Sequence, residues 1–340
     1  MNILERIYVA GCTVKRRRDS ANIKRLPCKV VSIGNITLGG TGKTPAVMAF
    51  AKEALNRGFL NPTILTRAYK AKKNGLCFIS KGNGALLNVR EAGDEPFLMA
   101  SKLTGVTIVK GSDRYSAGLL APDSDLFILD DGFQHWKLFR DIDVLLIDGM
   151  RGLGNCKTLP LGRLREPVTQ IKRADVIVIT RKETSSAAQK NVLTDILNTC
   201  PDKSILNDIT EHIYTAAHKP CCLVNKQWQQ YSLEQLKGRR VFLFCAIGNP
   251  DAFISTVKRL DYTLCGFKFY KDHYNYRYKD AADLLKLAKN KNADFLLTTE
   301  KDLIKIGDLI DVDSIFALSI EFNIVTAFYD YIFKRLSSDC

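Results

Sequence analysis

Lys43 and Thr44 stand directly behind the glycine-rich run Thr37-Leu38-Gly39-Gly40-Thr41-Gly42, which itself follows the β-branched pair Val30-Val31. A buried strand, a glycine-rich turn and a Lys-Thr pair opening an apolar helix come in the order that a nucleotide-phosphate cradle needs. Glycines let backbone N–H groups approach phosphate oxygens, the lysine reaches the β and γ oxygens, and the threonine hydroxyl can hold Mg²⁺. Counted back from Lys43, the first glycine of G-x-x-x-x-G-K-[ST] is replaced by Thr37. Gly39 and Gly40 still supply permissive backbone, so residues 37–44 are expected to bind a nucleoside triphosphate.

Leu126-Phe127-Ile128-Leu129 is an apolar run ending in Asp130-Asp131-Gly132, followed by Phe133-Gln134-His135. In P-loop enzymes a carboxylate at such a strand end holds Mg²⁺ directly or through water. Thr44 with Asp130 or Asp131 is the expected metal set, and Val144–Asp148 is a second strand ending in an acid. Glu91-Ala92-Gly93-Asp94-Glu95-Pro96 places acids just before a helix. There they either complement the helix dipole or accept a proton from an attacking hydroxyl, and the residues alone leave both readings open. Arg114, Arg163 and Arg165 lie in Gly- or Pro-marked loops, where planar guanidinium forks suit phosphate. Asp272-His273, set among Phe269, Tyr270, Tyr274 and Tyr276, is a candidate proton carrier.

These residues need a scaffold. Strands are expected at 29–33, 62–66, 107–109, 126–129, 144–147 and 176–180, with helices at 45–57, 96–103 and 112–120. Continuous apolar strands alternating with helices imply an α/β fold: a P-loop NTPase-type, mostly parallel sheet covered on both faces. Ligands on such sheets bind beyond the carboxyl ends of the strands. From about 206 to 238 the pattern loosens, without clean periodicity. A second strand–turn–helix then begins at Val241–Cys245, with Gly248-Asn249-Pro250 in the turn, and strands follow at 294–299 and 314–318. The expected division is a P-loop domain over 1–210 and a smaller C-terminal α/β domain over 211–340, with the final helix free to return to the first. Thr180-x-Lys182-Glu183 and Thr299-x-Lys301-Asp302 echo one another at two strand ends.

The 340 residues carry a net charge of +14, which favours anionic partners. Ten cysteines with no C-x-x-C pair, and only four histidines, count against a disulfide framework or a structural zinc. They point to a reducing, cytosolic compartment. No apolar run approaches the ~18 residues needed to cross a bilayer. Ile3, Leu4, Ile7, Tyr8, Val9 and Val14 precede Lys15-Arg16-Arg17-Arg18, the reverse of a secretory signal. Residues 1–18 thus form either a helix lying in an anionic membrane interface or one docked on the protein's own core.

Taken in order, the motifs resemble those of the tetraacyldisaccharide 4'-kinase family, the lipid A 4'-kinases. The matching residues are Gly34-Asn35 with the Thr37–Pro45 loop, Gly93-Asp94-Glu95-Pro96, Asp113-Arg114, and Asp130 to His135 with Arg140-Asp141. Leu159-Pro160, Arg163 to Pro167, Gly248-Asn249-Pro250, Asp272-His273 and Thr298 to Asp302 complete the set. The Thr37 variant of the loop is typical of that family. Where many members carry a second histidine after His273, Tyr274 stands here.

The resemblance implies transfer of the γ-phosphoryl of ATP, with Mg²⁺, to the 4'-hydroxyl of a tetraacylated glucosamine disaccharide 1-phosphate. It also implies an Asp94–His273 pair acting on that hydroxyl and a peripheral enzyme on the cytoplasmic face of the inner membrane. Gln134, His135, Arg163 and Arg165 are the expected acceptor contacts. A switch ATPase or GTPase is the competing reading, but no guanine-specific Asn-Lys-x-Asp element is present. The one tight basic run adjoins an apolar helix, not stacking aromatics, so nucleic acid is not expected. No protein partner can be inferred.

Overall fold

The apolar runs become strands of one long sheet in the computed structural model, which describes residues 2–67, 71, 75–181, 212–310 and 313–338. In chain order the strands are β1 (Lys29–Asn35), β2 (Pro62–Thr66), β3 (Cys77–Asn83), β4 (Thr104–Lys110), β5 (Leu126–Asp130), β6 (Ile142–Asp148) and β7 (Val176–Thr180). After them come β8 (Ile213–Val224), β9 (Gln230–Tyr231), β10 (Arg240–Cys245), β11 (Thr263–Phe269), β12 (Phe295–Thr299) and β13 (Ile315–Ile324). Their spatial order is β11-β10-β12-β13-β8-β7-β6-β1-β5-β2-β4-β3, with β9 beside β8.

Two parallel sets meet at β8. Its first residues pair with β7 in parallel, while Ala216 to Val224 pair with β13 antiparallel. The stretch in which the sequence pattern loosens therefore holds the longest described strand, of 12 residues. Pro220 interrupts the donor ladder there and the register with β13 shifts at that point. Proline in a strand is tolerated at such bulges, and the mixed residue types on both sides hid the period. The expected boundary between 210 and 211, and Lys182-Glu183 of the strand-end echo, lie outside the described residues.

Register places the chemistry. Ile33 of β1 pairs with Asp130 of β5, so the phosphate loop and the paired acids leave the sheet side by side. Behind them the Lys43–Asn56 helix buries Val47, Phe50, Ala51 and Ala54 against the sheet. Burying a side chain such as Phe50 contributes about 2–3 kcal/mol. The final helix, Thr326–Ser337, packs on the same core, where Phe333 stacks on Phe50 with ring centroids 5.2 Å apart. The eight described cysteines are free, and Cys221 and Cys222 keep their sulfurs 3.8 Å apart.

Candidate active site

The loop from Ile36 to Gly42 is pinned on several sides. Thr37 bridges to Leu164, the Leu38 N–H donates to the Arg163 carbonyl at 2.8 Å, and the Arg165 N–H donates to the Ile36 carbonyl at 2.8 Å. Arg163 also donates through its guanidinium to the Leu38 carbonyl at 2.7 Å. Thr180 Oγ1 donates to the Thr41 carbonyl at 3.1 Å, and Arg181 to the Gly40 carbonyl at 3.0 Å. Gly42 caps the following helix with φ +86°, and a Cβ there would lie 2.3 Å from the His218 ring. Only glycine meets both demands, the left-handed backbone and the close ring. These contacts hold the Ile36, Leu38, Gly40 and Thr41 carbonyls and so fix the loop ahead of a helix start, the place where backbone N–H groups suit an anion.

Lys43 Nζ lies 3.3 Å from Asn35 Oδ1 and 3.5 Å from Asp131 Oδ1. Asp131 is held by Arg165 at 3.0 Å, and Arg165 also donates to Gln134 Oε1 at 3.2 Å. Asp130 is placed differently. One oxygen accepts from Thr66 Oγ1 at 2.8 Å and the other is buried without a hydrogen-bond partner. Burial, with Glu95 and Asp131 nearby, pushes its carboxyl up to about 6. An unsatisfied buried carboxylate oxygen among other carboxylates is the environment a divalent cation relieves. Thr44 is buried at the helix start that follows the loop. Among the described residues no three His, Cys, Asp or Glu side chains cluster to hold a metal unaided. Mg²⁺ commonly binds through one or two carboxylates plus substrate phosphates, so the donor set fits.

The second parallel set brings the rest. His273, at φ +58°, directs Nδ1 to Asp94 Oδ2 at 3.3 Å, although the two are 179 residues apart. Burial would raise the Asp94 carboxyl, but the His273 hydrogen bond and the Lys305 charge hold it below its ordinary range. Beside it Lys301 pairs with Glu95; against the opposing effect of burial, Lys301 and Lys43 draw the Glu95 carboxyl down to about 2. Gly248, in the turn after β10, fits against the phosphate loop. A Cβ on it would lie 3.1 Å from the Gly40 nitrogen and 3.0 Å from Asp272 Oδ2. Arg151 donates to the Gly248 carbonyl at 2.9 Å, and Asn249 Nδ2 donates to Asp148 Oδ2 at 3.2 Å. Lys301, Lys305 and Arg151 were not among the expected site residues, although the Thr-x-Lys at 299–301 was visible at a strand end; Glu95 and Asp148 were noted only as an acid before a helix and a second strand-end acid.

The four expected acceptor contacts divide. Arg165 and Gln134 sit beside Asp131, and Gln134 also donates to the Asn35 carbonyl at 2.9 Å and to Glu166 at 3.0 Å. Arg163 lies against the phosphate loop. His135 keeps a buried Nε2 without a hydrogen-bond partner, and burial with Arg114 and Arg140 lowers its pKa to about 4. Arg114 is buried behind β5, donating to the Gly111 carbonyl at 2.7 Å.

The N-terminal helix, Ile3–Ser20, lies across this region by polar contacts. Tyr8 donates to the Arg165 carbonyl at 3.0 Å, and Glu5 accepts from the Thr158 N–H at 3.2 Å. Its burial is inverted: Glu5 and Asp19 are covered, while Ile3, Leu4, Ile7 and Val14 are 50–71% exposed. A cleft of about 310 Å³ beside the helix is lined by Arg16, Ser20, Trp136, Arg140 and Arg173 among others. No described helix is long and apolar enough to cross a membrane.

Known proteins resemble this chain over most of its length. A tetraacyldisaccharide 4'-kinase of Halothermothrix orenii is 34% identical over 318 residues, covering 90% of this chain and 82% of the relative. One of Syntrophus aciditrophicus is 38% identical over 295 residues, covering 84% and 77%. The crystal structure of "apo" form LpxK from Aquifex aeolicus in complex with ATP superposes with a TM-score of 0.74 at 30% identity, covering 98% of this chain and 97% of that one. The family model described as tetraacyldisaccharide-1-P 4'-kinase matches residues 1–337, and the chain belongs to that family.

Proposed function

We propose that this chain transfers the γ-phosphoryl group of ATP to the 4'-hydroxyl of a tetraacylated glucosamine disaccharide 1-phosphate at a membrane surface. The observation that carries the reading is the Gly248 turn. It packs against the phosphate loop at Gly40 and against Asp272, the chain neighbour of His273, so donor and acceptor chemistry share one cleft.

Residues 37–44 bind the phosphates, with Lys43 on the β and γ oxygens. Asp94 takes the proton of the attacking hydroxyl, while His273 orients it or shares that proton. Phosphoryl transfer passes through a loose transition state, so positioning and charge neutralisation matter more than proton abstraction. Mg²⁺, when bound, neutralises charge on the β and γ oxygens; Thr44 and Asp130 would hold it, because Asp131 is already engaged by Lys43 and Arg165. Arg163, Arg165, Gln134 and His135 border the acceptor. Residues 1–210 serve as the P-loop domain and 211–340 as the smaller one, with the final helix, Thr326–Ser337, returning to the core of the first.

The membrane part rests on the N-terminal helix. Its exposed Ile3, Leu4, Ile7 and Val14 have no role in the protein's own core, and Lys15 to Arg18 follow where anionic headgroups lie. A tetraacylated acceptor stays in the bilayer, since each CH₂ exposed to water costs about 0.8 kcal/mol. With the family resemblance, this supports peripheral attachment to the cytoplasmic face of the inner membrane. Asp94→Ala is expected to remove most turnover and leave ATP affinity nearly intact; unchanged turnover sinks the assignment of the base.

A further inference from the structure

Lys305 is buried, its side chain only 6% exposed, in a place where a lone ammonium is not tolerated. Its Nζ lies 3.4 Å from Asp94 Oδ2 and 3.1 Å from Asp302 Oδ1, with the Tyr276 ring centroid 5.5 Å away. Asp302 is itself completely buried and fully engaged. It accepts from Tyr276 Oη at 3.1 Å, Thr299 Oγ1 at 2.7 Å and the Ala246 N–H at 3.0 Å. The Ala246 carbonyl accepts from the His273 N–H at 3.2 Å. The lysine is therefore clamped from below, and both partners of Asp94 hang from one turn.

Both contacts to Asp94 fall on the same oxygen: His273 Nδ1 at 3.3 Å and Lys305 Nζ at 3.4 Å approach Oδ2. Oδ1 takes neither. We propose that Lys305 is a positioning residue that locks Asp94 Oδ2 and thereby turns Oδ1 toward the acceptor hydroxyl. The Asp302–Ala246 turn transmits this hold from the phosphate loop at Gly248. This rests on Asp94 acting as the base. Lys102 with Glu300, at 2.7 Å, is a further ion pair linking the same two helices, Asp94–Lys102 and Glu300–Ile306, without touching Asp94.

The test is a double-mutant cycle in the full-length protein, read as initial rates of ³²P transfer to tetraacyldisaccharide 1-phosphate in detergent at varied ATP. Lys305→Met is expected to lower turnover about 10- to 100-fold, with KM for ATP changed less than about 2-fold. Lys305→Arg recovers most of the loss, and Lys102→Met stays within about 3-fold of wild type. In an Asp94→Asn background Lys305→Met has little further effect, because the group it positions is gone. Losses that multiply in the double variant, or wild-type turnover in Lys305→Met, overturn the proposal. Equal losses in Lys102→Met and Lys305→Met also overturn it, since they mark a merely structural interface. Should the Met variant not fold, Lys305→Gln, neutral and shorter, is expected to lose about 10-fold, and no loss overturns the proposal. Asp94→Asn at the wild-type rate sinks the base reading itself, which the Lys305 variants alone do not.

Discussion

Alanine at Gly248 adds one methyl group where two halves of the catalytic cleft touch. The new Cβ would stand 3.1 Å from the Gly40 nitrogen, 3.0 Å from Asp272 Oδ2 and 3.5 Å from Gly39 Cα. Gly40 cannot retreat freely, because Arg181 holds its carbonyl at 3.0 Å and Thr180 holds the Thr41 carbonyl at 3.1 Å. The turn carrying residue 248 must withdraw instead, by a few tenths of an ångström. That motion draws on Ala246, whose carbonyl fixes the His273 backbone and whose N–H is bound to Asp302. A misplacement of about 1 Å can lower rate about 100-fold, so a shift of roughly half that predicts about 10-fold in kcat/KM. In free energy this is about 1.4 kcal/mol of transition-state stabilisation. Valine, with two more carbons, is expected to lose about 100-fold. The assay is the initial rate of ³²P transfer at varied ATP, with thermal unfolding measured in parallel. Gly11→Ala is the control, since nothing lies within 4 Å of a Cβ there. Activities of both Gly248 variants within about 2-fold of wild type would refute the inference that this contact sets the geometry of the site.

Other substitutions probe separate parts of the cleft. Asp130 carries a carboxyl raised to about 6, so its ionised form favours the unfolded chain; that destabilisation is absent below 3.8 and complete above 6. Asp130→Asn in EDTA should therefore raise the melting temperature at pH 8 by roughly a few degrees, lose the gain at pH 3, and abolish transfer. An unchanged melting temperature contradicts the buried-charge argument. Lys43→Met should lower kcat/KM about 1,000-fold or more through loss of charge at the phosphates, measured by the same transfer assay. Retention of activity would remove the lysine from the cradle. Ile3→Ser with Ile7→Ser should reduce sedimentation with anionic vesicles while leaving the melting temperature unchanged, because both side chains face solvent. A fall in melting temperature instead would mean that the helix docks on the protein's own core.

The phosphate loop was legible because a strand, a turn and a helix start lie within sixteen residues, 29–44, and each imposes residue types of its own. β2 and β7 were read to their observed ends, since buried parallel strands are continuous apolar runs. β8 was not, because it joins two strand sets, carries Pro220 at a bulge, and has no single buried face. Lys305 was silent for another reason. A lysine 211 residues from Asp94 looks like an ordinary surface residue until the fold closes the two together. The N-terminal helix shows the reverse: its apolar residues were plain in the sequence, but only the buried Glu5 and Asp19 reveal which face turns outward.

The most direct measurement of the central claim is ³²P transfer from γ-labelled ATP by purified protein in detergent, with tetraacyldisaccharide 1-phosphate as acceptor and a reaction without lipid beside it. The account predicts label in the lipid, dependent on Mg²⁺ and on ATP, and none without the acceptor. Release of inorganic phosphate with no labelled lipid would contradict it and leave a nucleotide-hydrolysing switch in its place.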